Sequence, residues 1–141
     1  MANDGGDFTR SMSIATSGLR AQAGRIRVIS ENIANADSTA STPGGNPYRR
    51  KVPTFSSELD RALDAKVVTL GKIRSDSSAF RVKHDPGNPA ADAAGNVKYP
   101  NVNPLIEMTD MRDAQRSYEA NLNIISATRR MIQRTLDILK A

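Results

Sequence analysis

The chain has a single histidine, His84 in the stretch VKHDPGNP, and histidine is the side chain best suited to move protons near neutral pH. A catalytic interpretation would pair His84 with Asp85 or Asp92 as a general base. The sequence offers no second histidine, no cysteine and no serine nucleophile flanked by glycines, and its acidic residues do not cluster with another imidazole. We therefore interpret His84 as a turn residue at a strand end, and we expect no enzymatic activity, no cofactor and no metal site.

A second candidate for chemistry is the basic run Arg49-Arg50-Lys51, which directly follows Tyr48. Cations beside an aromatic ring could bind RNA or DNA through phosphate contacts and base stacking. The formal net charge of +5 is spread thinly along the chain, so the field available to hold phosphate is weak. We favour a solvated or partner-facing basic strip, and we keep a nucleic-acid-binding module that uses these three cations as the alternative.

Composition limits the kind of protein that the chain can form. Its 141 residues suit one ordinary domain, and an aromatic content of 4% argues against a large, rigid core. No stretch approaches the roughly 18 consecutive apolar residues of a membrane span, so we expect no membrane insertion. The N-terminal stretch MANDGGDFTRSMSIATSGLR lacks the apolar region of a cleaved secretory signal. We expect the protein to stay in the cytoplasm or to leave by a route without such a signal.

Long helices are predicted at both ends of the sequence. From about Asp7 to Asn35 the larger residues alternate at spacings of four and three, the heptad pattern of a packed helix, and Asp7 is a candidate N-cap. The last segment repeats the rhythm, with Asn103 as a candidate N-cap and Pro104 at the first helical position. The first seam comprises Phe8, Met12, Ala15, Leu19, Gln22, Ile26, Ile29 and Ile33, and the second comprises Met108, Met111, Gln115, Tyr118, Leu122, Ile125, Arg129, Ile132, Leu136 and Leu139.

The middle of the chain is predicted to be a loop followed by a small β-rich insert. The stretch ADSTASTPGGNPY has the composition of a loop, and Pro53 restricts YRRKVPTF to an extended edge segment. Residues 55–65 are expected to form a short helix, and KVVTLGKIR, AFRVK and NVKYP are expected to be strands. Their thin core would contain Val67, Leu70, Ile73, Phe80, Val82 and Val97.

The predicted fold class is therefore mainly α with a small β insert, in which the long terminal helices pair as a coiled-coil-like core. We divide the chain into an N-terminal core helix (residues 1–35), a loop with a short-stranded insert (residues 36–100) and a C-terminal core helix (residues 101–141).

Apolar residues on a second flank of the last helix bear on function. Ala114, Ile124, Met131 and Ile138 lie beside the seam, and a simple hairpin of two helices would leave this flank in water. We therefore favour packing between molecules over a purely intramolecular pair. The residues predicted to form a subunit interface are Leu19, Ile26, Ile29, Asn32, Ile33, Asn35, Met108, Met111, Tyr118, Asn121, Leu122, Ile125, Ile132, Leu136 and Leu139.

Three asparagines in that set have two possible roles. An asparagine near a packing seam can fix the register of the helices, because its amide must find a hydrogen-bond partner. Asn35 could instead cap the first helix, and Asn121 could be a solvated surface residue. Both interpretations stay open at this stage.

Two long segments resemble a known family. The stretch SGLRAQAGRIRVISENIANADST followed by YRRK is similar to the N-terminal signature of flagellar rod and hook axial proteins, and GNVKYPNVNPLIEMTDMRDAQRSYEANLNIISATRRMIQRTLDIL resembles their C-terminal region. The resemblance covers about residues 8–55 and 85–140.

The resemblance implies a structural subunit that leaves the cell unfolded through the flagellar type III export apparatus without signal cleavage. It further implies polymerisation with copies of itself and with other rod proteins into an axial rod across the periplasm. The terminal helices would then form the inner core of the tube, with the insert outside them.

Overall fold

The structure is a computed structural model, and it describes residues 4–140. Within that range the chain forms two long helices with short strands between them, which confirms a mainly α fold with a small β insert. The elements in chain order are α1 Asp4–Ala34, β1 Lys51–Val52, β2 Phe55–Asp60, β3 Ala65–Leu70, β4 Arg74–Ser75, β5 Arg81–His84, β6 Asn96–Tyr99 and α2 Pro104–Lys140.

Helix α1 begins earlier than predicted and ends where predicted. Asp7 is wrong as an N-cap, because the helix already begins at Asp4, and Asp7 instead lies 3.8 Å from the Arg10 guanidinium one turn later. At the other end, the Asn35 side-chain amide donates to the Glu31 carbonyl oxygen at 2.8 Å. The Asn35 backbone amide donates to the same oxygen at 3.1 Å, so the Asn35 side chain adds a second bond at the end of the helix.

Helix α2 begins as the sequence predicts. The Asn103 side-chain oxygen accepts a hydrogen bond from the Leu105 amide at 3.0 Å, and Pro104 occupies the first helical position. The missing N–H of Pro104 costs nothing there, because the first amides of a helix have no partner within it. From Pro104 to Lys140 the helix is about 55 Å long at 1.5 Å per residue.

The strands pair in twos. Within residues 4–140, β1 pairs with β4, β2 with β3, and β5 with β6, all antiparallel. The short helix expected over residues 55–65 is wrong, because residues 55–60 instead pair in register with 65–70. The hydroxyls of Ser56 and Thr69 bond across this hairpin at 2.8 Å, and Asp64 at the turn has a φ of 46°. Strand β3 is rich in β-branched residues, which favour paired extended structure. Residues 55–60 form the strand that pairs with it.

Two compact units divide the chain, and each contains parts of both helices. The first comprises residues 4–25, 55–71 and 113–140 of the described chain. In it, Gly18 faces Asn121, and a Cβ atom on Gly18 would lie 3.0 Å from the Asn121 amide oxygen. Ile132 lies along the same groove as Thr9 and Met12, so the two helices run antiparallel in this unit. The buried side chains of this unit are small: Ala15, Ala21, Ala65, Ala114 and Thr128.

The second unit comprises residues 26–54 and 72–112, and it holds the larger buried side chains. Two predicted core residues are wrongly placed, because Ile73 and Val82 are 43% and 63% exposed. Isolated two-stranded ladders have no second layer to cover both of their faces. Val97, by contrast, is fully buried, as predicted. The buried side chains here are Val28, Ile29, Ala36, Ala90, Val97, Pro100 and Val102, together with the polar Asn32 and Glu107.

Neither helix could cross a membrane over the residues that the structure describes, because neither holds an apolar stretch of sufficient length.

The N-cap of α2 gives a first prediction. Replacing Asn103 with Ala removes the acceptor for the Leu105 amide and should lower the free energy of unfolding by about 1 kcal/mol. Urea unfolding followed by circular dichroism measures this. The matched control is Asn123→Ala, an exposed position inside the same helix, which should be neutral or slightly stabilising because Ala is the better helix former. Equal losses in the two variants would contradict the capping role.

Candidate assembly surface and buried polar network

The inward face of α2 is offset from the predicted seam. Two sets of residues at seven-residue spacing face the rest of the chain. One set, Met111, Tyr118, Ile125 and Ile132, belongs to the predicted seam and is half-buried. The other set is Glu107, Ala114, Asn121 and Thr128, of which Glu107, Ala114 and Thr128 are buried. Met108 and Leu122 of the predicted seam are exposed instead.

The predicted interface residues therefore differ in exposure. Ile29 and Asn32 are buried inside the chain. The half-buried members are Leu19, Ile26, Ile33, Asn35, Met111, Tyr118, Asn121, Ile125 and Ile132. The exposed members are Met108, Leu122, Leu136 and Leu139. Their role in contacts between subunits stays a prediction.

A wider apolar surface lies on the outside of α2. Ile124, Met131 and Ile138, at seven-residue spacing, are 48%, 48% and 76% exposed. Leu105 and Ile106 at the start of the helix are 73% and 54% exposed, and the predicted interface omitted both. Their sequence signal was weak, because both precede the first residue of the predicted seam.

Asn32, in the second unit, makes four side-chain hydrogen bonds. Its amide nitrogen donates to the Lys51 carbonyl oxygen at 2.8 Å and to Glu107 Oε2 at 3.0 Å. Its amide oxygen accepts from the Lys51 amide at 2.9 Å and from the Tyr48 hydroxyl at 2.8 Å. These four bonds use the full donor and acceptor capacity of an asparagine side chain. Asn32 thus fixes α1 against the segment that leads into β1, as a neighbouring strand would.

Glu107 is a buried carboxylate, 1% exposed. Arg50 Nε donates to its Oε1 at 2.6 Å, and Asn32 donates to the other oxygen. The guanidinium of Arg50 also lies 3.5 Å from Asp76 and 3.8 Å from Asp110. A buried charge is tolerated only when it is paired and hydrogen-bonded, and both oxygens of Glu107 have a partner.

The side chains of the basic run Arg49-Arg50-Lys51 contact partners within the chain. Arg49 donates to the carbonyl oxygens of Asp76 and Ser78 at 2.9 and 3.0 Å and lies 4.1 Å from the centroid of the Phe80 ring. The Lys51 ammonium forms an ion pair with Glu31. With Arg50 on Glu107, each of the three cations has an acidic, carbonyl or aromatic partner in its own chain. The run is therefore not a freely solvated strip, and a contact of its exposed part with a partner stays a prediction.

The network also alters two pKa values at its edge. Burial, together with the nearby carboxylates of Glu31 and Glu107, raises the pKa of Tyr48 to about 12. Hydrogen bonds from the Ser78 backbone and hydroxyl hold the pKa of Asp76 below its usual value, with a smaller contribution from the Arg50 charge.

His84 lies at the end of β5, where the sequence placed it. It is exposed, and its Nδ1 lies 3.3 Å from the Asn96 side-chain oxygen on the paired strand. Within residues 4–140, no three His, Cys, Asp or Glu side chains are grouped so that they could hold a metal ion.

Comparison with known proteins identifies the family. A model described as "Flagella basal body rod protein" matches residues 12–40, and one described as "Flagellar basal body rod FlgEFG protein C-terminal" matches residues 93–138. The flagellar basal-body rod protein FlgC of Agrobacterium fabrum is 56% identical over 134 residues, covering 95% of this chain and 96% of the relative. FlgC of Bacillus subtilis is 39% identical, covering 92% and 97%, and FlgC of Salmonella typhimurium is 37% identical, covering 89% and 92%. The chain belongs to the FlgC family of flagellar basal-body rod proteins.

As a FlgC-family member, the chain is a structural rod subunit, and none of these comparisons favours the nucleic-acid alternative. The two matched segments contain the two ends of the buried network. Asn32 lies in the N-terminal match and Glu107 in the C-terminal match, while Arg50 lies between them in the chain.

Loss of Arg50 should destabilise the second unit strongly. Arg50→Ala leaves the buried Glu107 carboxylate without its cation, and we expect the free energy of unfolding to fall by about 3 kcal/mol. Arg74→Ala is the matched control, because Arg74 is an exposed arginine on β4 and its loss should cost less than about 0.5 kcal/mol. Chemical denaturation of both variants measures the difference. A loss of equal size at both positions would mean that Glu107 does not depend on Arg50.

The raised pKa of Tyr48 predicts an alkaline limit to stability. The folded state favours the neutral phenol, so Tyr48 stabilises the fold fully below its ordinary pKa of 10.0 and progressively less as the pH rises towards about 12. An ultraviolet absorbance titration of the three tyrosines should show one phenol ionising near pH 12. That step should disappear in Tyr48→Phe. If it persists, another group is responsible for it.

Proposed function

We propose that this FlgC-family chain polymerises through its terminal helices, with copies of itself and with other rod proteins, into the axial shaft of the flagellar basal body. The observation that carries the proposal is the outer surface of α2. Along one helix, nine large apolar side chains among the described residues are at least 42% exposed. Many large apolar side chains exposed along one helix indicate an interaction site, since water solvates them poorly.

The buried network supports the same proposal. A rod that transmits torque needs subunits of one fixed shape, and a fully bonded buried polar cluster favours a single register over alternatives. Asn32, Arg50 and Glu107 hold three separate parts of the chain in one arrangement. The shape of the second unit is thereby set before any partner binds.

We further propose that the chain reaches the rod unfolded, through the flagellar type III export apparatus, and crosses the periplasm as part of the shaft. The absence of cysteine supports this route, because no disulfide can hold the chain folded. The alanine-lined core of the first unit also buries little apolar surface, so unfolding that part of the chain for passage costs little.

An exposed apolar residue of α2 tests the assembly role. Ile138→Asp places a carboxylate where a neighbour would close in, and burial of an unpaired charge costs several kcal/mol at every copy in the polymer. We expect the variant to be exported but to build no rod, so that cells carrying it do not swim. Motility plates and electron microscopy of basal bodies provide the measurements.

The matched control is Arg130→Ala, another exposed position near the end of the same helix, which should support swimming. The free energy of unfolding of the isolated Ile138→Asp variant should equal that of the unchanged chain, because Ile138 is 76% exposed. Normal swimming by the Ile138→Asp strain would contradict the proposal.

A further inference from the structure

A groove in the first unit has no occupant from the described chain. It has a volume of about 730 Å³ and lies among the first turns of α1, the β2–β3 hairpin and Ile132 of α2. Its lining is largely apolar, with Arg20 and Asp60 also present. The apolar lining includes Met12, Ala21, Leu63, Val67, Leu70 and Ile132.

The hairpin side of this groove is firmly attached to α1. The Ser17 hydroxyl accepts a hydrogen bond from the Val68 amide at 3.2 Å, and Arg10 Nε donates to the Leu63 carbonyl oxygen at 2.9 Å. Gly24 meets Leu70 so closely that a Cβ atom would lie 2.6 Å from the leucine Cδ2. The groove is therefore a formed feature of this unit, ready to receive an apolar element.

The last turns of α2 are an apolar element with no cover of their own. Ile132 is the last half-buried residue of α2, and the described helix continues beyond it to Lys140. Leu136, Ile138 and Leu139 in this extension are 50%, 76% and 77% exposed. They point to more than one side of the helix, as an element inserted between two walls requires.

Charge also favours this element as the occupant. The extension carries Arg134 and Asp137, which lie three residues apart and thus on one face of the helix. The groove carries one cation, Arg20, and one anion, Asp60. The hairpin has three acidic and two basic residues, whereas the extension, residues 133–140, has two basic residues and one acidic residue, so the two net charges are opposite in sign.

We infer that the groove of one copy receives the end of α2, residues 133–140, from a second copy of the chain. The inference rests on the proposed polymerisation and names the two surfaces that meet in it. A helix whose apolar residues enter a groove is a common mode of recognition between proteins. The groove and the helix end are different surfaces of the same chain, so the contact is head-to-tail. Such a contact can repeat from copy to copy, whereas a symmetric contact would stop at a dimer.

Disulfide trapping tests the inference, because the chain has no cysteine of its own. Ser13 lies along the groove, and Leu139 is the exposed end residue. Ser13→Cys and Leu139→Cys variants, one of them carrying an epitope tag, are co-expressed in cells that lack the unchanged protein. Basal bodies are isolated and oxidised, and the product that joins the two variants is detected through the tag. The matched control replaces Leu139→Cys with Glu119→Cys, an exposed position earlier on the same helix.

We expect a cross-linked product from Ser13→Cys with Leu139→Cys and none from Ser13→Cys with Glu119→Cys. Normal basal bodies without the first product, or with an equal product from the control pair, would overturn the inference and leave polymerisation intact. Failure of the unchanged chain to enter basal bodies at all would instead contradict the proposed function, and the inference with it.

Discussion

A buried carboxylate, that of Glu107, sets the constraint on which the second unit depends. Moving such a group out of water costs several kcal/mol unless a cation and hydrogen-bond donors meet both of its oxygens. Arg50 meets one oxygen and Asn32 the other. Asn32 lies on α1, Arg50 immediately precedes β1, and Glu107 lies in the first turn of α2. These three elements can therefore take only the arrangement in which all three side chains meet. Asn32 adds two hydrogen bonds to the Lys51 backbone. These bonds fix the position of β1 along α1.

The two units differ in what they bury and what they expose. The second contains the polar network and the larger buried side chains, so it specifies a shape. The first is packed mainly through alanines, with a close approach between Gly18 and Asn121, and it exposes Ile124, Met131 and Ile138 on the outside of α2. Its large apolar side chains on α2 are thus exposed more than they are buried in its own interior. Under the proposed assembly, these side chains would contact other rod subunits. This distribution is what a rod subunit of the FlgC family requires, because the energy of the polymer must come from contacts between copies.

The sequence predicted those features whose causes are local. The two long helices follow from heptad spacing, the start of α2 from Asn103 and Pro104, and the strand end at His84 from the turn residues after it. The family resemblance was equally clear, because long motifs at both ends carry it. Features set by distant partners were missed. The burial of Glu107 was not predicted, since neither Arg50 nor Asn32 is near it in the chain. Residues 55–60 were expected to be helical, because their pairing with β3 is not visible in their own sequence. The inward face of α2 includes the buried Ala114 in place of Gln115, which belongs to the predicted seam but is exposed.

The central claim is that the contributions of Arg50 and Glu107 to stability are coupled. A double-mutant cycle measures this coupling most directly. The free energy of unfolding is determined for the unchanged chain, for Arg50→Ala, for Glu107→Ala and for the double variant. If the pair is coupled as described, the double variant should lose at least about 2 kcal/mol less than the sum of the two single losses. The reason is that Arg50→Ala alone strands the buried Glu107 carboxylate, a cost that is absent once Glu107 is also removed. Losses that add to within about 0.5 kcal/mol would show that the two residues act independently and would contradict the account.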